Sequence, residues 1–330
     1  MTWTANTLLT AALVFGGVAL GTGPLIALLR RFQLLDHPNE RSSHHRPTPV
    51  GGGLLIVAAL IPAWLWLGGG ALLPLALAAL GLAAISLIDD FRRVPTGLRF
   101  AGHVAAVAWV LSLNPALANW LPGAVPGPVA LICVGLGWVW FINLFNFMDG
   151  IDGITGVECL GIGIGVVAVT ALGGATTALA PFGLCLAAAA AGFLIWNWHP
   201  AKVFMGDVGS VPLGFLIGWL LLEMAAAGAW APAVILPAYY LADATWTLGR
   251  RVLRGEAPWR AHRDHFYQQA TKGGRSHARV SLLILGLNAL LIAAAALVPW
   301  TGPWPALALA AGATGGLLAL FRHPGGAANP

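Results

Sequence analysis

The sequence predicts an all-α protein that crosses a membrane about ten or eleven times. Of its 330 residues, 58% are hydrophobic and only 9% are charged, and the mean hydropathy is +0.80. A soluble domain carries roughly a quarter charged residues, so this chain has too little polar surface to cover a globule in water. Its apolar residues are also grouped into runs, most of them close to the roughly 20 residues that a spanning helix needs.

The apolar runs are separated by short glycine-rich connections on one side and by longer polar segments on the other. Gly68-Gly69-Gly70 and Gly173-Gly174 are two of the short connections. The predicted spanning helices cover residues 7–29, 52–68, 71–88, 100–117, 128–146, 157–174, 178–196, 211–228, 231–250, 280–298 and 305–321. No segment between them is long enough to fold separately, so residues 1–330 are predicted to form a single membrane domain.

The basic residues predict which way the helices run. All 17 Lys and Arg residues fall on or beside alternate loops, and the loops on the other side have none. The segments on that side are 30–51, 89–99, 147–156, 197–210, 250–279 and the C-terminal tail, and every base lies on or beside one of them. Because cytoplasmic loops are enriched in Lys and Arg, these loops are predicted to be cytosolic and the N-terminus to lie outside. No positive charge precedes the first apolar run, which predicts a spanning helix and not a cleavable signal peptide.

The composition also limits which binding partners are expected. The net charge of +5 is compatible with a nucleic-acid binder, but the bases sit at the ends of apolar runs and form no soluble basic domain. This placement predicts contact with membrane lipids and no nucleic-acid partner. Cys133, Cys159 and Cys185 lie inside apolar runs without the spacing of a metal site, so they are expected to be buried structural thiols.

A pair of adjacent carboxylates, Asp89 and Asp90, ends the third apolar run and is followed by Arg92 and Arg93. Like charges this close repel, which favours a bound cation or a shared proton. A solvated helix end is the alternative, but the helix dipole disfavours acids at a C-terminus. The pair is therefore a candidate catalytic site.

Polar residues recur every three positions in a second segment, at Asn143, Asn146, Asp149 and Asp152. On a helix, this spacing places the first three along one face. The glycines of the Asp-Gly-Ile-Asp-Gly segment allow the backbone to turn and to approach a ligand closely. A hydrated helix end explains one or two such groups but not four in register.

A third group combines Lys202 with Asp207, which lies within a Gly-Asp-Val-Gly-Ser segment. A hard carboxylate ligand and a cation that pairs with phosphate suit a magnesium site, since Mg²⁺ is usually held by one or two carboxylates and substrate phosphates. Taken alone this motif fits a structural turn equally well, and it gains weight beside the other two groups.

Two predicted cytosolic segments carry histidines, with His44 and Arg46 in the first and His262, Arg263 and His265 in the second. The two histidines of the second segment could suggest a zinc site, but no Cys or acidic ligands stand beside them at a suitable spacing. Contacts to phosphate or nucleotide are the preferred interpretation, and a basic loop on anionic lipid is the alternative.

These motifs together resemble the polyprenyl-phosphate N-acetylhexosamine-1-phosphate transferase family, glycosyltransferase family 4. Its members include the phospho-MurNAc-pentapeptide translocase and the initiating transferases of O-antigen. The resemblance covers almost the whole chain, with PNERSSHHRPTPVGGG, IDD, NLFNFMDGIDG, PAKVFMGDVGS and AHRDHFYQ in family order. PNERSSH and the stretch LADATWTLGRRVLRGE look most like the bacterial O-antigen branch.

The resemblance implies a reaction and a place for it. A sugar-1-phosphate would pass from a UDP-N-acetylhexosamine to undecaprenyl phosphate, releasing UMP, at the cytosolic face of a bacterial inner membrane. Asp207 would bind Mg²⁺, with Mn²⁺ as an alternative ion, and neutralise the pyrophosphate. Asp89 or Asp90 would deprotonate the lipid phosphate or act as a nucleophile in a two-step path, and direct attack is the preferred interpretation.

The same resemblance implies that the remaining polar residues bind the substrates. Asn143, Asn146, Asp149 and Asp152 would orient nucleotide and metal, Lys202 would pair with phosphate, and His262, Arg263 and His265 would bind the diphosphate or sugar. His44 and Arg46 are candidates near the lipid phosphate.

Departures from the family pattern keep alternatives open. The pentapeptide translocase would show three consecutive histidines where this chain has His262-Arg263-Asp264-His265, so muramyl-pentapeptide transfer is the alternative reaction. The lysine that many relatives place after the aspartate pair is absent, with Arg92 and Arg93 its nearest substitutes. A secondary transporter is a rival of another class, but transporters place their acids near the bilayer midplane. The identity of the sugar and the choice between monomer and homodimer stay open.

Overall fold

The computed structural model describes residues 4–38, 46–92, 94–172, 175–257 and 262–323. The helices are α1 (Ala5–Arg31), α2 (Gly53–Gly68), α3 (Leu73–Arg92), α4 (Thr96–Leu113), α5 (Gly127–Phe147), α6 (Ile154–Ala171), α7 (Ala180–Asn197), α8 (Asp207–Ala226), α9 (Trp230–Ile235), α10 (Ala238–Leu253), α11 (Phe266–Lys272), α12 (His277–Thr301) and α13 (Pro303–Arg322). Two short antiparallel strands, β1 (Leu35–Asp36) and β2 (Thr48–Pro49), pair between α1 and α2, with Leu35 opposite Pro49.

The all-α polytopic prediction is confirmed. Nine segments of the described residues are long and apolar enough to cross a membrane. One of them, Gly53–Asp90, comprises α2 and α3 joined by a 3-10 turn at Gly69–Leu72, where the sequence predicted a glycine break. The second predicted glycine break, at 173–174, lies outside the described residues.

The helix predicted over 231–250 differs from the structure, because it is interrupted between α9 and α10 at Pro237. Pro237 has no backbone N–H to donate to the preceding turn, and the chain turns there, although internal prolines leave α1, α2, α8 and α12 continuous.

Helix α8 forms the centre of the bundle. Of its apolar segment, 89% is buried, against 28% for the peripheral helices α4 and α13. It packs against α2, α3 and α5, while α7 packs against both α1 and α6 and α12 packs against both α6 and α13. Burial around the whole circumference explains why the apolar residues of α8 form a continuous run without a polar face.

The prediction of buried thiols holds for two of the three cysteines. Cys159 and Cys185 are free and buried, whereas Cys133 is free and exposed on α5. The face of α5 that carries Cys133 borders an open apolar cavity of about 280 Å³, which Trp120 and Trp230 also line, and this opening leaves the thiol exposed.

Two glycines bring the start of α2 against the start of α8. A Cβ on Gly53 would lie 2.3 Å from the Cα of Gly209, so no side chain fits at this contact. The N–H groups of Gly52 and Gly53 each donate at 2.9 Å to the carbonyls of Phe204 and Met205. These contacts fix the loop before α2 and the first turn of α8 against each other.

Candidate active site

An arginine joins two of the predicted carboxylates. Nη1 of Arg99, in the first turn of α4, lies 2.7 Å from Asp89 Oδ2 and 3.1 Å from Asp207 Oδ2. Asp89 stands at the end of α3, and Asp207 is the first residue of α8. The N–H of Val94 also donates to Asp89 Oδ1, at 2.6 Å. One guanidinium therefore holds the ends of three helices together and offsets the repulsion between their carboxylates.

Arg99 was not among the predicted site residues. The nearest substitutes for the missing lysine were Arg92 and Arg93, and Arg93 lies outside the described residues. Because α4 folds back against α3, a residue in its first turn reaches the carboxylate at the end of α3. The two carboxylates lie at opposite kinds of helix end. The helix dipole stabilises Asp207 at the N-terminus of α8 but disfavours Asp89 near the C-terminus of α3, so Asp89 needs a nearby cation.

The second residue of the aspartate pair has a different environment. Asp90 is exposed and lines a cleft of about 350 Å³ beside α1. Leu29, Leu54 and Leu87 line the same cleft, together with Asp36. The cleft thus combines carboxylates with an apolar wall.

The polar ladder predicted on one helix face is divided in the structure. Asn146 hydrogen-bonds Asp207, and so belongs to the carboxylate cluster. The amide of Asn143 donates to the carbonyl of Val139 at 2.7 Å, and its side chain also hydrogen-bonds His103. Asp149 does not lie on the helix face, because α5 ends at Phe147 and the chain turns there.

Asp149 is held in this turn by a hydroxyl. Oγ1 of Thr155 donates to Asp149 Oδ1 at 2.6 Å and lies 3.2 Å from the hydroxyl of Tyr240. Burial raises the pKa of Asp149 to about 6, although the hydrogen bond from Thr155 lowers it, and the charge of Asp207 raises it further. Asp149 therefore lies close enough to Asp207 to share the same electrostatic site.

Asp152 lies between two histidines that were not predicted. Nδ1 of His199 is 2.6 Å from Asp152 Oδ2, and Nδ1 of His277 is 3.3 Å from Asp152 Oδ1. The N–H of Ala201 donates to Oδ2 at 3.1 Å. Burial raises the pKa of Asp152, but the hydrogen bonds from His277, His199 and Ala201 outweigh burial and lower it overall. The only signal in the sequence was the position of each histidine beside a predicted helix end.

The two glycines of the Asp-Gly-Ile-Asp-Gly turn are required by the structure, as predicted. A Cβ on Gly150 would lie 2.1 Å from the hydroxyl of Tyr267, and Gly153 has a φ of +79°. The hydroxyl of Tyr267 donates to the carbonyl of Phe147 at 3.2 Å. The turn therefore packs directly against the last long loop, which carries Tyr267.

Asp243 anchors this loop, although the sequence predicted no role for this carboxylate. It accepts hydrogen bonds from the N–H groups of Phe266 at 3.0 Å and Tyr267 at 3.2 Å, at the start of α11. Nδ1 of His265 lies 3.1 Å from the same buried carboxylate. His265 is only 2% exposed, so its predicted contact with a substrate stays a prediction.

His262 and Arg263 lie just before this anchor. Nδ1 of His262 accepts from the N–H of Asp264 at 3.3 Å, and Asp264 forms an ion pair with Arg251. Burial lowers the pKa of His262 to about 4, and the neighbouring charges of His265 and Arg251 lower it further, so the imidazole is neutral near pH 7. The carbonyl of Arg263 accepts from Lys272 at 2.7 Å.

The remaining predicted residues lie further out. The N–H of Lys202 donates to the carbonyl of Trp196 at 2.8 Å, and its exposed ammonium lies 5.1 Å from the centre of the Trp196 ring. Arg46 is exposed, and its carbonyl accepts from Thr48 at 3.0 Å. His44 lies outside the described residues.

The other two helix-interior carboxylates lie away from this cluster and bind amides. Glu158 on α6 accepts from Asn288 at 3.1 Å, and Glu223 on α8 accepts from Asn114 at 3.1 Å. Amide partners of this kind give each carboxyl group a hydrogen bond without adding a charge.

Apolar helices that meet at one cluster of carboxylates and cations define a class of protein, the multi-pass membrane enzyme with its site at helix ends. Comparison with known proteins identifies the family. The profile of Glycosyl transferase family 4 matches residues 72–225. The chain belongs to this family, as its motifs predicted.

Individual relatives agree with this assignment. The chain is 30% identical over 325 residues to the decaprenyl-phosphate N-acetylglucosaminephosphotransferase of Mycolicibacterium smegmatis, covering 84% of this chain and 77% of that one. It is 26% identical to a probable undecaprenyl-phosphate N-acetylglucosaminyl 1-phosphate transferase of Bacillus subtilis, covering 80% and 76%. It is also 30% identical to a phospho-N-acetylmuramoyl-pentapeptide-transferase of a Synechococcus species, covering 82% of each.

Proposed function

We propose that this protein transfers a sugar-1-phosphate from a UDP-N-acetylhexosamine to undecaprenyl phosphate and releases UMP, which starts a lipid-linked glycan of the cell envelope. The observation that carries the proposal is the contact of Arg99 with both Asp89 and Asp207. It brings the aspartate pair of one motif to the predicted metal ligand of another. Relatives named for transfer of N-acetylglucosamine phosphate to a polyprenyl phosphate support the same reaction.

In the proposed reaction, an oxygen of the lipid phosphate attacks the phosphorus atom that carries the sugar. A new bond forms between this oxygen and phosphorus, while the bond from phosphorus to the bridging oxygen of UMP breaks. The electron pair of that bond leaves with UMP. Little covalent chemistry is left to the protein, so positioning and charge neutralisation dominate catalysis.

We assign removal of the proton from the lipid phosphate to Asp90. Asp89 is already held by Arg99 and by the N–H of Val94, whereas Asp90 is exposed and lines the cleft beside α1. The apolar wall of this cleft suits the first isoprene units of the lipid, and the carboxylate of Asp90 on the same cleft supports its contact with the lipid phosphate.

We assign Mg²⁺ to Asp207, with Asp89 as a second ligand and Mn²⁺ as an alternative ion. These two carboxylates already converge on one cationic group, Nη1 of Arg99, and a metal ion bound by both would take the place of that nitrogen. Carboxylate oxygens combined with substrate phosphates are the usual ligands of protein-bound Mg²⁺. When bound, the ion would neutralise charge on the pyrophosphate.

We assign the nucleotide to the end of α5 and the turn that follows it, where Asn146, Asp149 and Asp152 lie. His262 and Arg263 lie in the loop that packs on this turn through Tyr267, and this proximity supports their assignment to the diphosphate or sugar. Because the nucleotide sugar is water-soluble and all 17 bases belong to this side of the predicted topology, we propose that the site faces the cytosol at the inner membrane.

The test uses the purified full chain with Mg²⁺, undecaprenyl phosphate and a panel of UDP-N-acetylhexosamines, including UDP-MurNAc-pentapeptide. We expect UMP release that requires both substrates and stops when Mg²⁺ is chelated. Release with the pentapeptide substrate alone would replace the proposal by muramyl-pentapeptide transfer. No release with any member of the panel would contradict it.

A further inference from the structure

A second cluster of ligand-type side chains lies beside the site, separate from Asp207. It joins Asp152 in the turn between α5 and α6, His199 in the loop before α8 and His277 at the start of α12. One donor atom of each residue lies within 4.8 Å of the donors of the other two. We propose that this cluster binds a divalent transition-metal ion of the zinc class, which ties the three segments together.

The donor set selects this class of ion. Imidazole nitrogens suit Zn²⁺ and similar transition metals, whereas Mg²⁺ prefers oxygen ligands. Ligand atoms on a tetrahedral zinc ion lie about 3.3 Å apart, given bonds of about 2.0–2.1 Å. His277 Nδ1 is already 3.3 Å from Asp152 Oδ1, whereas His199 Nδ1 lies 2.6 Å from Oδ2 and would have to move away from it to admit an ion.

The two contacts of His277 Nδ1 give a second reason to propose a cation at this cluster. Nδ1 of His277 lies 3.4 Å from the backbone N of Asp152 as well as 3.3 Å from its carboxylate. It cannot accept from the first and donate to the second with one nitrogen. If Nδ1 carries no proton, its lone pair repels the carboxylate, and a cation bound by both groups would replace that repulsion with attraction.

The burial of Asp152 is a further reason to expect a cation, because its side chain is only 7% exposed. Buried charges are paired or coordinate metals, and the groups that meet this carboxylate are two imidazoles and the N–H of Ala201. Its charge is thus balanced either by an imidazolium proton or by a metal ion.

The surroundings hold the cluster in place and leave a path to it. Ser281 donates to the carbonyl of Asp152 at 2.8 Å, and Asn197 accepts from the N–H of Gly153 at 3.0 Å. The side chain of His199 is 38% exposed, so an ion can enter from water. Three protein ligands would leave a fourth position for a water molecule.

The experiment measures Zn²⁺ retained by the purified full chain after equilibrium dialysis, read by elemental analysis. We expect one equivalent in the wild type and in Asp207→Asn, whose carboxylate is outside the cluster. His199→Gln and His277→Gln should each bind at least about tenfold more weakly, since even an outer-shell partner is worth about 10–100-fold in metal affinity. The exposed His323→Gln is the matched control and should bind like the wild type.

X-ray absorption at the zinc edge of the wild type gives a readout that does not depend on how the variants fold. We expect nitrogen and oxygen ligands with the outer-shell scattering of two imidazoles. Sulfur ligands, absence of a retained equivalent, or equal affinity in His277→Gln and His323→Gln would each overturn the proposal. The cluster would then be a hydrogen-bonded clamp balanced by a proton. None of these outcomes depends on transferase activity.

Discussion

The two ends of helix α8 each carry a carboxylate, and the two have different surroundings. Asp207, at the first residue, meets the guanidinium of Arg99 and the amide of Asn146. Glu223, near the other end, hydrogen-bonds the side chains of Trp219 and Asn114. Neutral partners are enough for this half-buried carboxyl group, so packing alone does not require the charged network around Asp207. That network is better explained by chemistry.

The same contrast extends to the whole bundle. At the end that carries Asp207, side chains from α3, α4, α5 and α8 converge on shared polar contacts. At the opposite end, aromatic rings take this place, with Trp230 and Trp304 packed edge to face at 5.9 Å. Tryptophan is enriched at membrane interfaces, where its ring suits both lipid and water. The end with Trp230 and Trp304 therefore has the composition of a membrane interface, and the end with Asp207 has that of a polar functional site.

The largest effect is expected from neutralising one end of α8. Asp207→Asn should lower the rate of UMP release on the order of 10³-fold, because it removes a fixed charge from a preorganised site. Glu223→Gln changes the same helix by the same loss of charge at the other end, and its activity should stay near that of the wild type. Near wild-type turnover in Asp207→Asn, with the protein folded, would remove the metal assignment.

A smaller loss is expected at the proposed base. Asp90→Asn should lower kcat on the order of 10²-fold, the lower part of the range for general acid–base catalysis. The KM for the UDP-sugar should change little, since Asp90 lines the cleft on the lipid side. The comparison variant is Asp89→Asn. If that variant lost turnover while Asp90→Asn kept it, the base would be Asp89.

The site end should also respond to pH. Because burial raises the pKa of Asp149 to about 6, kcat/KM should fall as the pH drops below about 6 and the carboxylate is protonated. Thr155→Val removes a hydrogen bond that lowers this pKa, so the acid limb should move to higher pH. Thr170→Val, a buried hydroxyl on the same helix, is the control and should leave the limb in place. An identical limb in Thr155→Val would refute this role of Asp149.

The sign of the matching stability effect follows from the same pKa. The folded-state value of about 6 for Asp149 lies above the ordinary value of 3.8, so the folded state favours the protonated form. This contribution to stability is present in full below the ordinary pKa and is lost as the pH rises through about 6.

The smallest effect on turnover is expected where a carboxylate anchors a loop. Asp243→Asn should lower the stability of the folded protein on the order of 2 kcal/mol, as loss of a strong helix cap does, because it accepts from two N–H groups of α11. The thermal midpoint in detergent should fall, while turnover of the protein that stays folded falls less than in Asp90→Asn. Asp264→Asn, in a more exposed ion pair, is the matched control and should shift the midpoint less. Equal shifts would contradict the anchoring role.

Hydropathy was sufficient to predict most of the fold, because each spanning helix is a local run of apolar residues. The exception is the break between α9 and α10 at Pro237. A proline alone did not predict this break, because other helices continue past a proline. The ends of helices were less predictable. Asp149 was placed on a helix face that the chain leaves at Phe147, since the glycines of the turn end the helix earlier than the periodicity indicated.

The candidate site was predictable in its carboxylates but not in their partners. Acidic residues among apolar runs are conspicuous, and Asp89, Asp90, Asp149, Asp152 and Asp207 all followed from this. Arg99 is separated from Asp207 by 108 positions, and His277 from Asp152 by 125. Contacts over such separations depend on how helices pack, which periodicity does not encode. Asp243 was left without a role for the same reason, as its partners lie in a loop that folds back onto α10.

The central claim is that the charged end of the bundle transfers phosphate together with the sugar. The most direct measurement follows the β-phosphorus of a UDP-N-acetylhexosamine labelled at that atom, with undecaprenyl phosphate as acceptor. We predict that the label enters the lipid fraction in step with UMP release and fails to do so in Asp207→Asn. Sugar that reaches the lipid while the label stays in soluble UDP, or label that never enters the lipid, would contradict the account.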